Sequence, residues 1–212
     1  MMKLNKKIKR LGIMLVISSP SGAGKTTLAR KLISEDDDIE LSISVTTRKP
    51  RDVEKNNEDY VFVSKKLFED MIKKNMFLEH ADVFGNKYGT SKEPTIDKLK
   101  SGKDILFDID WQGTQELKEK ESKNLVSVFI LPPSTKELEK RLLKRAQDSG
   151  KVVKKRMAEA SSEITHWAEY DYVIINDNLE ETLDKLKAIL VAERLKRTRQ
   201  TGLNDFVRKV IS

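Results

Sequence analysis

Ser18-Ser19-Pro20-Ser21-Gly22-Ala23-Gly24-Lys25-Thr26-Thr27 is the stretch whose reading decides the fold of this chain. The apolar run Ile13-Met14-Leu15-Val16-Ile17 comes just before it, and Leu28-Ala29-Arg30-Lys31-Leu32-Ile33 follows with helical spacing of its apolar residues. Strand, glycine-rich turn and helix, in that order, form the setting in which a backbone cradles phosphate. Glycine lets successive N–H groups turn inward without Cβ collisions. The start of the helix adds its own unpaired N–H groups to this anion nest. Lys25 is placed to reach terminal phosphates, and Thr26 to offer its hydroxyl to Mg²⁺. The full pattern is glycine, four residues, then Gly-Lys-Ser/Thr, and here Ser19 stands where the first glycine is expected. Gly22, Gly24, Lys25 and Thr26 are all in place, and a plain Gly/Ser connection would leave an intact Gly-Lys-Thr at a strand–helix junction without a purpose.

At 212 residues the chain suits one compact domain with small inserted lobes. It contains no cysteine, which removes disulfides and thiolate metal sites, and its two histidines, His80 and His166, are too far apart to suggest a metal site. The formal charge of +7 has two explanations: a nucleic-acid-binding face, or arginines lining a pocket for polyanionic nucleotides with lysines spread over solvated helices. Alternation such as Glu116-Leu117-Lys118-Glu119-Lys120-Glu121 favours the second. Lys3, Lys6, Lys7, Lys9 and Arg10 ahead of the apolar run have the outline of a secretory signal. That run is short, however, and ends in the phosphate loop, where cleavage near Ser19 or Ala23 would destroy the nest. Residues 1–10 are therefore read as a basic arm. With no apolar run of membrane-spanning length, a cytoplasmic enzyme with no membrane or nucleic-acid partner is expected.

Further along, Leu41 to Val45 alternates at period two and reads as one strand, and Tyr60 to Val63 as another. Ser64 caps a helix with Leu67, Phe68, Met71 and Ile72 on one face. Phe77 to Phe84 reads as a strand and Gly85-Asn86-Lys87-Tyr88-Gly89-Thr90 as a turn-rich loop. Pro94 suits the first turn of a helix ending near Gly102. Asp104 to Asp110 reads as a buried strand ending in two carboxylates, followed by a helix from Trp111 to Glu121 and a strand from Leu125 to Leu131. Ser134-Thr135-Lys136-Glu137 has the form of a capping box. Segment 144–156, rich in Lys and Arg, reads as a mobile flap. Tyr172 to Ile175 is the last strand, Asn178 caps a long helix, and the tail from about 199 is unassigned. Strands alternating with helices give a parallel, doubly wound sheet whose ligands lie beyond the strands' carboxyl ends.

Several motifs now stand in order: Ser-Pro-Ser-Gly-Ala-Gly-Lys-Thr; Ser44-Val45-Thr46-Thr47-Arg48-Lys49-Pro50-Arg51; Asp59-Tyr60; Phe77-Leu78-Glu79; Gly85-Asn86-Lys87-Tyr88-Gly89-Thr90; Asp108-Ile109-Asp110-Trp111-Gln112-Gly113; Pro132-Pro133-Ser134; Arg141-Leu142-Leu143-Lys144-Arg145; and Ile175-Asn176-Asp177. With this order and spacing the chain resembles the guanylate kinase family over about residues 13–189. The resemblance implies an α/β, P-loop NTPase-like parallel sheet sandwiched by helices, with an inserted GMP-binding lobe and a helical lid. It implies the reaction ATP + GMP giving ADP + GDP, with Mg²⁺. The expected division is a core of 11–42, 98–143 and 170–212, a GMP lobe of 43–97 and a lid of 144–169.

The resemblance also implies roles for single residues. Ser19, Pro20, Ser21, Gly22, Ala23, Gly24, Lys25 and Thr26 would bind ATP, with Asn176 beside its base. Arg48 and Arg51, three apart, can fork onto a phosphate, and with Tyr60 and Tyr88 they would hold that of GMP. Glu79 would accept the paired ring N–H and amino donors of guanine, which adenine lacks. Ser44 and Thr90 would meet the rest of the base edge; the family commonly has Ser at the latter position, and Thr90 keeps the hydroxyl. Asp110 is assigned to the guanine side, and Asp108 with Thr26 to the Mg²⁺ side. As catalytic residues, Lys25 with Mg²⁺ would screen the ATP phosphates, Arg48 would orient the acceptor phosphate, and Arg145 and Arg156 on the lid would close over the transferring phosphoryl group. Rival readings are a binding module that has lost catalysis, a nucleic-acid binder, and a kinase for another nucleoside monophosphate. The retained Lys25 and Thr26, the scarcity of stacking aromatics, and Glu79 with Thr90 argue against them in turn.

Overall fold

β1 (Met14–Ser18) is buried at every position, which is why its sequence reads as an unbroken apolar run. The computed structural model describes residues 8–83, 85–145 and 150–212, without the side chains of 83, 145 and 150–154. After β1 come α1 (Lys25–Glu35), β2 (Ile39–Leu41), β3 (Ser44–Thr46), β4 (Val61–Phe62), α2 (Lys65–Lys73), β5 (Phe77–Val83), β6 (Asn86–Ser91) and α3 (Lys92–Lys100). β7 (Asp104–Phe107), α4 (Trp111–Glu121), β8 (Leu125–Leu131), α5 (Thr135–Arg145) and α6 (Gly150–Ile164) follow. A 3₁₀ turn (Thr165–Glu169), β9 (Tyr172–Ile175), α7 (Leu179–Leu195) and α8 (Leu203–Ile211) complete the described chain.

The core is a five-stranded sheet in the order β2-β7-β1-β8-β9, all pairs parallel. Ile13, Leu15 and Ile17 pack on one face against Leu28 and Leu32 of α1 and Leu186 and Leu190 of α7. Met14 and Val16 face the other way, toward Leu117 of α4 and Leu78. A second sheet, β4-β3-β6-β5, is folded over Phe68 of α2 and Phe77, whose rings stack at 4.6 Å. The helix starts follow their caps: Ser64 accepts from Leu67 N, Ser134 from Glu137 N, and Asn178 from Glu180 N and Glu181 N.

Four expectations need correction. Leu41 to Val45 is not one strand: β2 ends in the core sheet at Leu41 and β3 opens the second sheet at Ser44. The period-two alternation of the sequence crosses the change of sheet without tracking burial: Leu41 is exposed, Ile43 half-buried and Val45 buried. Gly85 to Thr90 is not a loop. Only its start turns, with Gly85 at φ 78, and β6 then pairs with both β5 and β3. Gly89 is needed in this strand because a Cβ there would meet the Phe77 ring at 3.0 Å. The strand from Asp104 stops at Phe107, and Asp110 instead caps α4, accepting from Gly113 N at 3.0 Å. Segment 144–156, expected as a flap with no apolar face, is helical where it is described: α5 runs to Arg145 and α6 starts at Gly150, with residues 146–149 outside the described residues. Met157, Ala160 and Ile164 lay α6 on Leu138 and Leu142 of α5. The unassigned tail holds α8. Among the described residues no helix is long and apolar enough to cross a membrane.

Candidate active site

The phosphate loop lies between β1 and α1, at the carboxyl end of the core sheet. It is closed by Ala23 N donating to Pro20 O at 3.1 Å. Gly22 and Gly24 hold its two positive-φ positions, at 92° and 101°. A Cβ on Gly24 would lie 2.4 Å from Asn176 Nδ2, so both conformation and space demand glycine there. Among the described residues the positive-φ positions outside glycine are Asn57 and Asn75, so Ser19 occupies ordinary backbone space and the first position of the pattern needs no glycine in this chain. α1 opens on Gly24 with no side-chain cap, which leaves its first N–H groups for an anion.

Lys25 Nζ meets Asp108 Oδ1 at 2.5 Å, and Thr26 is exposed at the first turn of α1. Ser19, Ser21, Lys25, Thr26, Asp108 and Glu163 are among the residues around a cavity of about 280 Å³. Glu163, on α6, accepts from Ser21 N at 3.1 Å, and burial raises its pKa. Asn176 is held by the protein itself. It is 4% exposed behind the loop, where Nδ2 donates to Ala23 O at 2.7 Å and Oδ1 accepts from Thr182 Oγ1 at 3.1 Å. Its carbonyl takes long contacts from Arg141 Nη1 and Nη2 at 3.4 Å.

The second sheet gathers the expected acceptor residues. Arg48 Nη2 meets Glu54 Oε1 at 2.8 Å, and Arg51 N donates to Glu54 Oε2 at 2.8 Å. The Arg48 guanidinium also lies 5.2 Å from the Tyr60 ring centre, and Tyr60 meets Tyr88 edge-on at 6.1 Å. The bond to Arg48 pulls the Glu54 pKa down, while burial raises that of Tyr60. Ser44 of β3 sits opposite Thr90 of β6 in the ladder. Thr90 Oγ1 donates to Glu79 Oε1 at 2.7 Å. Glu79 is 4% exposed, and burial pushes its carboxyl up to about 7 against the Thr90 bond, helped by the nearby Glu116 and Asp110. A Cβ at Gly113 would stand 3.2 Å from Glu79 Oε2, so the glycine makes room for this carboxylate.

Thus the loop residues, Lys25, Thr26 and Asp108 come together in one place, and Arg48, Tyr60 and Tyr88 in another. Ser44, Glu79 and Thr90 form a third group on the same second sheet. One oxygen of Asp110 is committed to the α4 cap. Arg156 is partly buried on α6, and the side chain of Arg145 lies outside the described residues. Two carboxylates absent from the sequence reading belong to the site, Glu54 and Glu163. Glu54 carries one weak signal, an acidic residue three places after Arg51 in a polar loop; Glu163 sits in an ordinary helical pattern and carries none.

A larger hollow, about 790 Å³, lies near the amino end of the core sheet, but Arg10 and Arg194 beside it are already bound to Asp104.

The family model for guanylate kinase matches residues 12–193. A guanylate kinase of Paramagnetospirillum magneticum is 56% identical over 200 residues, covering 94% of each chain. One from Zymomonas mobilis is 51% identical over 208 residues, covering 98% of this chain and 96% of its own. The crystal structure of guanylate kinase from Anaplasma phagocytophilum has a TM-score of 0.75 at 39% identity, covering 95% of this chain and 96% of that one. With a phosphate loop at one sheet and a buried carboxylate at the other, the chain belongs to the guanylate kinase family.

Proposed function

We propose that the site transfers the γ-phosphoryl group of ATP to GMP, giving ADP and GDP. The chain is an ATP-dependent nucleoside monophosphate kinase, and the observation that carries the choice of acceptor is Glu79. This carboxylate is almost fully buried and holds a hydrogen bond from Thr90. Guanine brings it two donors side by side, whereas adenine offers no such pair and leaves the buried carboxylate with the Thr90 bond and no donor from the base. Ser44, Thr90 and Asp110 complete the base pocket. Arg48, Arg51, Tyr60 and Tyr88 hold the GMP phosphate, and the loop from Ser19 to Thr26 holds ATP. Asn176 supports that loop from behind.

Thr26 and Asp108 fit a Mg²⁺ site: both face the loop cavity, and both offer the oxygen ligands this ion prefers. Among the described residues no three His, Cys, Asp or Glu side chains form a ready cage, so nucleotide and water would supply its other ligands. Bound there, the ion would neutralise phosphate charge. The protein's own contribution is positioning and charge neutralisation. Lys25 exchanges Asp108 for the ATP phosphates, Arg48 aims an acceptor that is already an anion, and Arg145 and Arg156 close over the reacting group from the lid. This reading divides the chain into a core (11–42, 98–143, 170–212), a GMP lobe (43–97) and a lid (144–169).

A coupled ADP-release assay with ATP and Mg²⁺, run in parallel on GMP, AMP, UMP and dTMP, tests the proposal. Turnover with GMP alone is expected, falling at least about a hundredfold in Lys25→Ala. Equal turnover on AMP, or none on GMP, would overturn it.

A further inference from the structure

Four groups around the site, the side chains of Arg48 and Lys25 and the N–H groups of Arg51 and Ser21, are engaged by the chain's own carboxylates. Glu54 takes Arg48 and the N–H of Arg51, and Asp108 takes Lys25. Both come from segments that already belong to the site. The third differs: Glu163 takes the N–H of Ser21, 142 positions away in sequence, and it comes from the helix that carries Arg156. α6 otherwise rests on α5 through Met157, Ala160 and Ile164. The same α5 residues, Leu138 and Leu142, press on the loop, since a Cβ at Gly22 would meet them at 3.1 and 3.2 Å. The tip of the loop is therefore bounded by α5 packing and by one ionic hydrogen bond from α6.

We propose that Glu163 is an internal stand-in for phosphate, occupying the Ser21 N–H in the nucleotide-free protein, and that ATP must displace it to seat its phosphates. This deepens the kinase reading and rests on it only for the identity of the displacing nucleotide. The physical basis is competition for one donor. An N–H in an anion nest binds whichever anion is present, and a tethered carboxylate close to Lys25 is present at all times. A triphosphate brings several negative charges into the same cavity, and the like charge of Glu163 opposes it there. Displacement frees the far end of α6 from the loop, so loop occupancy sets the position of the helix bearing Arg156. The cost is a weaker apparent affinity for ATP, since only the displaced state accepts it.

The test uses the full chain and two variants, Glu163→Ala and the isosteric Glu163→Gln, each checked for an unchanged thermal midpoint. Calorimetric titration with a non-hydrolysable ATP analogue and Mg²⁺ should show Kd lowered about three- to tenfold in Glu163→Ala, the size of one partly exposed charge-assisted contact. Glu163→Gln, which keeps an acceptor and loses the charge, should fall between that and the parent. Inorganic tripolyphosphate should show the same gain, because the competition involves phosphate and not the base. GMP affinity should not move, so KM for ATP falls while KM for GMP stays. Weaker or unchanged binding of ATP analogue and tripolyphosphate in both variants would overturn the proposal. Neither titration needs turnover, so an inactive parent would defeat the kinase reading while leaving this result readable.

Discussion

An aspartate stands at each end of β7, Asp104 as its first residue and Asp108 just past its last, and the two have opposite fates. Asp104 opens the strand with its side chain fully buried. It accepts from Arg10 Nη1 at 2.5 Å, Ile13 N at 2.8 Å and Arg194 Nε at 2.7 Å. Asp108 follows the strand's last residue, keeps 36% of its side-chain surface, and among the described residues has one ionic contact, to Lys25. The amino end of the sheet is thus a closed ionic cluster, extended by Arg194 to Asp36 at 2.7 Å. The carboxyl end is held by single, replaceable contacts, Lys25 to Asp108 and Ser21 N to Glu163. A buried charge with all its partners present resists loss of any one of them. An exposed pair held by one contact gives way to a better ligand at little cost. The same residue types therefore serve structure at one end and exchange at the other.

The sharpest way to break that contrast is to remove each aspartate in turn. Asp104→Ala takes the carboxylate from Arg10 and the Ile13 N–H and leaves Arg194 with Asp36 alone, and should cost about 3–5 kcal/mol of stability. Asp108→Ala should stay within about 0.5 kcal/mol. Urea denaturation measures both, and KM values for ATP and GMP on the folded Asp104→Ala protein should match the parent. A loss under about 1 kcal/mol in Asp104→Ala would erase the distinction.

Glu79 combines the two regimes, being buried like Asp104 yet meant for a ligand. Glu79→Gln presents a donor where guanine also presents one. The preference for GMP over AMP in kcat/KM should fall by about 2–4 kcal/mol, with KM for ATP unchanged. An unaltered preference would remove Glu79 from base recognition. Its titration gives a smaller, graded effect. Because burial raises its pKa to about 7 in the free protein, Glu79 stabilises the fold most fully below its unfolded value of 4.5. That contribution is lost as pH rises through about 7. GMP needs the ionised form, so its affinity should weaken toward tenfold per unit as pH drops below 7. The GMP phosphate titrates near pH ~6, and Glu79→Gln should retain that component alone. A parent and variant with the same pH profile of GMP affinity would contradict the assignment.

The parallel core was legible because both faces of its strands are buried, and the loop because Gly-Lys-Thr has few other uses at a strand–helix junction. The second sheet was harder. β6 contains two turn-forming residue types, Asn86 and Gly89, and is a strand only because β3 and β5 flank it. Pairing partners are tertiary facts that local preference does not encode. Asp104 reads like any strand-opening aspartate until Arg10 and Arg194 arrive from distant segments. Asn176 carries the family's motif, yet only the fold shows its amide turned to Ala23 O. Glu54 and Glu163 stayed hidden for the same reason: a carboxylate's role depends on which donor it reaches.

The mildest effect is expected where the sequence pattern looks most irregular. Ser19 departs from the glycine of the motif, yet it adopts no positive φ, and its hydroxyl donates to the adjoining Pro20 O, at 3.2 Å. Restoring the motif by Ser19→Gly should leave kcat/KM for both substrates within about twofold. It should lower stability by about 0.4–1 kcal/mol, because glycine widens the unfolded ensemble without relieving any strain in the folded one. Thermal melts and steady-state kinetics decide this together. A tenfold gain in kcat/KM would mean that the serine side chain restrains the loop. The open end of the sheet would then be less free to exchange its ligands than its single contacts indicate.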